Sequence, residues 1–308
     1  MKITAIVVTY NRLELLKKGI DCLRKQARLS DILVVNNGST DGTDKWLDEQ
    51  ADLTVIHQDN VGGSGGFYTG IKAAYEDGAD WLWCMDDDVF PREDCLDRLL
   101  AQVEVNVAAD GGQPLSILSP RRMMEGSVFT HEFRQFNFTN PIGSMHGKKL
   151  NGTETEPTEI VGCDFEGPFI SREVVEKIGF PNKEFFIFCD DTDYCLRAHL
   201  AGFRLLYVPD ALMDKHKFFS NDSWTTRNQK KKWKRFYQVR NEAYMNHHYG
   251  KNWGVRYLRS WIGAMGYVVP AILTMPFTKA WQMKDLMMLH RAYYDGIAEK
   301  LGKREMKN

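Results

Sequence analysis

The sequence offers no staple of its own. Its six cysteines (Cys22, Cys84, Cys95, Cys163, Cys189 and Cys195) form no CxxC pair and no zinc spacing. In a chain of this length they are expected as reduced, mostly buried thiols of a cytoplasmic protein. Neither sign of charge is in excess: 40 Lys and Arg face 41 Asp and Glu, for a formal net charge of -1. That balance removes any global drive toward nucleic acid. No secretory leader is expected, because the apolar run Ile3–Val8 stops at polar Thr9 and Asn11 and reads as a strand. Long hydrophobic runs are also scarce. Trp261 to Phe277 carries no charge, but it contains Gly263, Gly266, Pro270 and Pro276 and sits at the short limit for crossing a bilayer. It reads as a buried or membrane-surface segment. No internal repeat is present. What remains is an ordinary globular balance, 43% hydrophobic and 26% charged over 308 residues. That suffices for one large α/β domain, or one domain with an appendage.

The first half alternates strand and helix. Strands are expected over Ile3–Val8, Asp31–Val35, Thr54–His57 and Trp81–Met85. Helices are expected over Arg12–Gln26, Thr43–Gln50, Gly66–Asp77 and Glu93–Asn106. This alternation predicts a parallel sheet with crossover helices. Ligands of such sheets bind beyond the carboxyl ends of the strands. Asn11, Asn36, Asn37, Asp59, Asn60 and Asp86–Asp88 all follow strand ends, so one sheet edge should gather most of the polar residues of interest. Residues 107–160 are rich in Gly, Pro, Thr and Asn and read as loops and hairpins that carry acceptor specificity. From Trp224 the character changes: Lys230, Lys231, Lys232, Lys234 and Arg235 interleave with Trp233, Phe236 and Tyr237. A boundary is expected near 222, giving a domain over 1–222 and a helical, basic-aromatic segment over 223–308.

The most telling stretch is Trp81-Leu82-Trp83-Cys84-Met85-Asp86-Asp87-Asp88. A strand-length apolar segment ends in three carboxylates, which repel one another unless a cation neutralises them. Mg2+ or Mn2+ bound this way bridges carboxylates to phosphates; a solvated acidic loop is the alternative. Upstream, Asn60-Val61-Gly62-Gly63-Ser64-Gly65-Gly66-Phe67 opens a helix. Its glycines let the backbone approach closely and leave N–H groups near a positive helix end, which suits a diphosphate. It lacks the P-loop Lys-Ser/Thr pair, and a tight strand-to-helix turn would look the same. Asp190, Asp191 and Asp193 form a second acidic cluster after Phe185–Phe188. Asp190 and Asp193 read as helix caps, with Asp193 pairing Arg197 at i,i+4. Asp191, with its hydrophobic approach, is the candidate general base. His216, after the strand and turn Tyr207–Ala211, is a candidate third metal ligand or an ordinary surface histidine.

Taken together, these elements resemble family 2 glycosyltransferases. The openings "ITAIVVTYNR" and "VVNNGSTDGT", the Asp86-Asp87-Asp88 triplet as a DxD motif, and "DDTDYCLRAHLAGFRLLYVPDA" agree in order and spacing over roughly residues 1–220. "NVGGSGGF" with the triple Asp is most similar to the galactofuranosyltransferase and rhamnosyltransferase-like branch. The resemblance implies a GT-A fold, a Rossmann-like mostly parallel sheet flanked by helices, with a C-terminal helical extension. It also implies a nucleotide-sugar donor and inversion at the anomeric carbon. By position, Asp86, Asp88 and His216 would hold Mn2+ or Mg2+ against the donor diphosphate, and Asp87 would sit beside the metal or the donor ribose. Thr9, Asn11, Asn37 and Asn60 would line the nucleotide pocket, with Gly62, Gly63, Gly65 and Gly66 passing close to the donor. Asp191 would deprotonate the acceptor hydroxyl. One departure is Asn36, where many relatives carry an acid near the uracil ring; its carbonyl oxygen still accepts a hydrogen bond but supplies no charge.

The expected function is therefore an inverting, metal-dependent transfer of a sugar to a hydroxyl of a polysaccharide or lipid-linked glycan. UDP-galactofuranose is the leading donor and dTDP-rhamnose the alternative. A nucleotidyltransferase is disfavoured because Arg12 follows Asn11 with no glycine-rich loop. A non-catalytic sugar-nucleotide binding module is disfavoured because Asp86, Asp88, Asp191 and His216 are all retained. The basic-aromatic tail fits either a packed helical cap or an anionic leaflet, so the protein is expected in the cytoplasm, with peripheral contact to the inner face of the membrane if its acceptor is lipid-linked. Oligomeric state is not legible.

Overall fold

A computed structural model of the chain describes residues 1–108, 115–217, 224–277 and 281–304. It divides into two units. The first comprises Met1–Gln135, Lys148–Lys183 and Asp190–Lys217; the second comprises Phe136–Gly147, Glu184–Cys189 and Phe218–Asn308. The boundary expected near 222 lies outside the described residues.

In the first unit the expected alternation appears as β1 (Ile3–Thr9), α1 (Leu13–Leu23), β2 (Asp31–Asn36), α2 (Thr43–Asp48), β3 (Thr54–His57), α3 (Gly62–Glu76) and β4 (Trp81–Asp86). There follow β5 (Val89–Pro91), α4 (Cys95–Ala108), β6 (Leu115–Met124), β7 (Ser127–Phe129), β8 (Phe133–Gln135), β9 (Lys148–Lys149), β10 (Thr158–Ile160) and β11 (Phe169–Ser171). The unit closes with α5 (Arg172–Ile178), α6 (Asp190–Leu200) and β12 (Arg204–Lys215). The sheet order is β10-β12-β6-β11-β4-β1-β2-β3. Strands β3, β2, β1 and β4 are mutually parallel, while β11 runs antiparallel between β4 and β6. Apolar side chains fill both faces of this sheet: Ile3, Val7, Val34 and Trp83 on one, Ile6, Val8, Leu33 and Leu82 on the other. A sheet covered on both sides explains why its strands are almost continuously hydrophobic.

Two elements differ from the sequence expectation. Helix α3 begins at Gly62 rather than Gly66, so the glycine cluster is its first turn. Glycine is a poor helix former, but close packing demands it here. A Cβ on Gly66 would lie 2.5 Å from a Val8 methyl, and one on Gly70 would strike Ile6. The strand and turn expected over Tyr207–Ala211 are both part of the twelve-residue strand β12, with no turn. Pro209 falls where the β12–β6 register shifts between Val208 and Leu212, an irregularity that tolerates a missing N–H donor.

The second unit holds α7 (Trp224–Tyr249), a π-helical stretch Gly254–Arg259, α8 (Ser260–Thr274) and α9 (Met283–Ile297). Phe236, Tyr237, Val239, Leu286, Leu289 and Ala292 form its core. Phe186, Phe188 and Cys189 have φ of 67°, 70° and 65°, a left-handed backbone that bulky residues adopt only under constraint. The constraint is visible: Asn241 Nδ2 donates to the carbonyls of Phe185, Ile187 and Phe188 at 2.8–3.1 Å. Among the described residues no helix is long and apolar enough to cross a membrane. All six cysteines are free thiols, five of them buried.

Candidate active site

The parallel register sets the carboxyl ends of β1, β2 and β4 side by side: Thr9 pairs with Asn36, and Val8 with Asp86. The polar residues expected to share one edge do so. Much of their hydrogen bonding goes into fastening loops to each other. Asn11 (φ 54°) accepts the Thr40 N–H at 2.6 Å and donates its own N–H to Ser39 Oγ at 3.0 Å. Buried Asn37 donates to the Gly62 carbonyl at 3.0 Å and accepts from Gln58 and from the Val61 N–H. Asn60 accepts the Gly62 N–H at 2.9 Å. Asn37 and Asn60 thus hold the entry to α3 in shape. Of the four glycines there, Gly65 and Gly66 are explained by contact with Val61 and Val8; Gly63 has open space where a side chain would be. Asn36 bonds His57 Nδ1 and the Ser39 N–H.

The three acids after β4 have three different environments. Asp87 is buried and accepts Thr9 Oγ1 at 2.8 Å, the Tyr10 N–H at 3.4 Å and Arg12 Nη1 at 3.2 Å. It ties the end of β1 to β4, and burial pushes its carboxyl up to about 6 despite the Arg12 charge. Asp88 is buried, bridged by Arg12 Nη1 on Oδ2 and by Lys215 Nζ at 3.5 Å on Oδ1. Asp86 faces the like charges of Asp88, Glu166 and Asp87 with Lys215 in partial compensation; burial first, then that repulsion, hold its carboxyl well above the ordinary range. His216 lies next to the cluster because β5 pairs with β12: its N–H donates to the Asp88 carbonyl at 2.9 Å, and its side chain is exposed.

A divalent cation fits the chemistry of this donor set, because Asp86 is a hard oxygen donor pressed among carboxylates that need neutralising. A ready-made cluster is another matter. Among the described residues no group of three His, Cys, Asp or Glu side chains is arranged to hold a metal. Asp86 and Asp88 lie at the expected edge with His216 beside them, and the oxygens of Asp88 already meet Arg12 and Lys215, which neutralise part of its charge.

Asp191 stands in the first turn of α6, with Oδ1 accepting the Thr192 N–H at 2.5 Å. Burial, then the charges of Asp164 and Asp190, hold its carboxyl well above the ordinary range. Asp190 beside it is pushed up by burial to about 6. Asp193 pairs with Arg197 at 2.9 Å, the i,i+4 bridge expected from sequence.

A buried ion network joins these two acidic clusters, and the sequence reading named none of its members as functional. Arg122, 1% exposed, meets Glu132 at 2.7 Å, Asp164 at 3.0 Å and Glu166 at 2.5 Å. Lys215 bridges Glu166 at 2.7 Å to Asp88. His131 Nδ1 meets Asp164 at 2.6 Å. Burial disfavours the imidazolium, but Asp164 and Asp191 outweigh it and raise His131 above its ordinary value, while Asp164 is lowered to about 2. The one sequence signal was an acid-rich "CDFEG" between apolar strands; its partners lie 30 to 50 residues away and are joined only by folding.

Comparison with known proteins agrees with this geometry. The description "Glycosyl transferase family 2" matches residues 4–179, more than half of the chain. The chain is 26% identical over 261 residues to galactofuranosyltransferase GlfT1 of Mycolicibacterium smegmatis, covering 79% of this chain and 82% of that protein. It is 31% identical over 182 residues to undecaprenyl-phosphate mannosyltransferase of Micrococcus luteus, covering 54% and 75% respectively. The crystal structure of S. aureus TarS 1-349 in complex with UDP superposes with a TM-score of 0.52 at 15% identity, covering 97% of this chain and 89% of that one; at that identity the likeness concerns the fold. The chain belongs to glycosyl transferase family 2 and has the GT-A architecture, a mostly parallel sheet flanked by helices.

Proposed function

We propose that this family 2 glycosyl transferase is an inverting enzyme that moves galactofuranose from UDP-galactofuranose to a hydroxyl of a glycan or lipid-linked glycan. The donor assignment rests on the similarity to galactofuranosyltransferase GlfT1 over 79% of the chain. The catalytic work is assigned to residues 1–222, with 223–308 as an extension.

One observation carries the mechanism. Asp86 and Asp191 are both half-buried carboxylates facing like charge, and the Arg122 network lies between their clusters. Two such acids suit two tasks at one centre. Asp191 takes the proton of the acceptor hydroxyl as it attacks the anomeric carbon. Its raised affinity for a proton makes it a stronger base than an exposed carboxylate, and Thr192 fixes its orientation. One base is enough for direct inversion, because the nucleoside diphosphate leaves without needing an acid at the glycosidic oxygen. Asp86 and Asp88, with His216 at the rim, would hold a Mn2+ or Mg2+ ion, which when bound neutralises charge on the departing diphosphate. Arg12 and Lys215, beside Asp88, add fixed positive charge at the same edge. Gly63, open at the start of α3, lets the donor approach the backbone.

Calorimetric titration of UDP, dTDP and GDP, each with Mn2+ and with chelator, tests this reading. Metal-dependent binding of UDP alone is expected. Preference for dTDP would move the donor to dTDP-rhamnose, and no binding of any of the three would overturn the assignment.

A further inference from the structure

Helix α8 turns a stripe of large apolar side chains to solvent. A helix on a water-soluble surface turns its large apolar side chains inward. The residues buried outright are small, Ser260, Ala264 and Ala271, at 5%, 2% and 1% exposure, with Met265, Tyr267, Val268 and Met275 packed partly against the core. Other large ones face out: Trp261 48%, Ile262 48%, Val269 49%, Ile272 50% and Leu273 66%, followed by Phe277 at 86%. Positions 262, 269 and 273 recur at helical spacing, so they form one stripe. Ile142, 77% exposed, lines the same cavity as Ile262 and continues the apolar surface. Nothing charged interrupts it, since residues 260–277 contain no Asp, Glu, Lys or Arg.

Glu242 lines the cavity beside Ile142 and Ile262, but the segment that carries the stripe has charge of one sign. From Ala243 to Lys284 the sequence contains no Asp or Glu but has Lys251, Arg256, Arg259, Lys279 and Lys284. Lys251 and Arg256 are exposed, and so is Trp253 at 68%. An apolar stripe flanked by cations and indole rings is complementary to a surface with a hydrocarbon interior and an anionic, hydrated boundary. A second copy of this chain would bring the same cations against themselves.

We propose that the exposed face of α8, with Trp253, Lys251 and Arg256 beside it, docks on the surface of a membrane rich in anionic lipid, lying in the boundary without crossing it. Trp261, Ile262, Leu273 and Phe277 enter the acyl region, and the basic side chains remain at the headgroups. The length of α8, 15 residues interrupted by Pro270, suits lying in the plane better than spanning. This inference stands independently of the donor assigned above.

The experiment is sedimentation of the full chain with vesicles of phosphatidylcholine, with and without phosphatidylglycerol, alongside Ile262→Glu/Leu273→Glu and Lys251→Glu/Arg256→Glu. The parent should bind the anionic vesicles with a blue shift of tryptophan emission, and high salt should weaken binding. Ile262→Glu/Leu273→Glu should lower partitioning roughly tenfold or more on both vesicle types. Lys251→Glu/Arg256→Glu should lower it only on the anionic ones. Unaltered melting of both variants separates loss of docking from loss of fold. A parent that ignores both vesicles, or that dimerises with concentration through a contact abolished by Ile262→Glu/Leu273→Glu, overturns the proposal.

Discussion

At the end of β4 the protein buries Asp87 and Asp88 to 4% and 1% exposure, while along α8 it leaves Leu273 and Phe277 at 66% and 86%. Each arrangement is costly taken alone. A buried carboxylate loses its hydration unless cations or hydrogen bonds replace it. Large apolar side chains in water give up the burial that stabilises most helices. The first unit largely meets its cost internally, through Arg12, Arg122 and Lys215, and leaves Asp86 and Asp191 incompletely compensated. The second unit leaves the α8 stripe without compensation from the described residues of its own fold. Both shortfalls are what the proposals above build on.

Substitutions can break this comparison, and the largest effect should be catalytic. Asp191→Asn keeps the shape and removes the base. Transfer should fall by about 10³-fold or more, with UDP affinity intact by calorimetry. Lost UDP affinity with normal turnover would refute the base role. In the parent, activity should fade as pH drops through the raised pKa of Asp191, above the ordinary carboxylate range. Next, Arg122→Met strands Glu132 and leaves Asp164 with His131 and Glu166 with Lys215. Urea unfolding should show a loss of about 3 kcal/mol; an unchanged midpoint would mean that the network is not what neutralises the first unit.

Glu242 brings a half-buried carboxyl into the second unit and sharpens the contrast. It lines a cavity of about 280 Å³ with Asn246, Arg259 and Ser260, and burial raises its carboxyl from 4.5 to about 7. The folded state therefore holds this proton more tightly than the unfolded chain does. Stability is lost as pH rises from 4.5 toward 7, and the penalty is complete above that. Glu242→Gln should raise stability at about pH 8 by on the order of 2 kcal/mol and have little effect near pH 4. Thermal melts at the two pH values decide it; equal effects at both would sink the idea. The smallest expected change is in the melting of Ile262→Glu/Leu273→Glu, within about 0.5 kcal/mol, because both side chains already face solvent.

The alternation of strands and helices was legible because buried parallel strands read as apolar runs and crossover helices show their period. The joint pattern of the asparagine-bearing loops, the triple Asp and the "DDTDYCLRAHLAGFRLLYVPDA" segment carried the family. The ion network was not legible. Arg122 meets acids 10, 42 and 44 residues away, and no local rule selects those partners. Asn37 was singled out as a pocket residue; its amide also braces the Gly62 turn, a role set by a loop 25 residues on. The glycines were read for closeness to a ligand, and for Gly65 and Gly66 the close neighbour is protein.

By itself the sequence determined the order of elements, the edge at which polar residues collect and the family, because these follow from periodicity and local spacing. Tertiary structure alone decided which carboxylates are neutralised, which remain raised, and that α8 leaves the stripe Ile262, Val269 and Leu273 facing solvent. Burial and the identity of a charge's neighbours are properties of the packed chain, fixed only when distant segments meet.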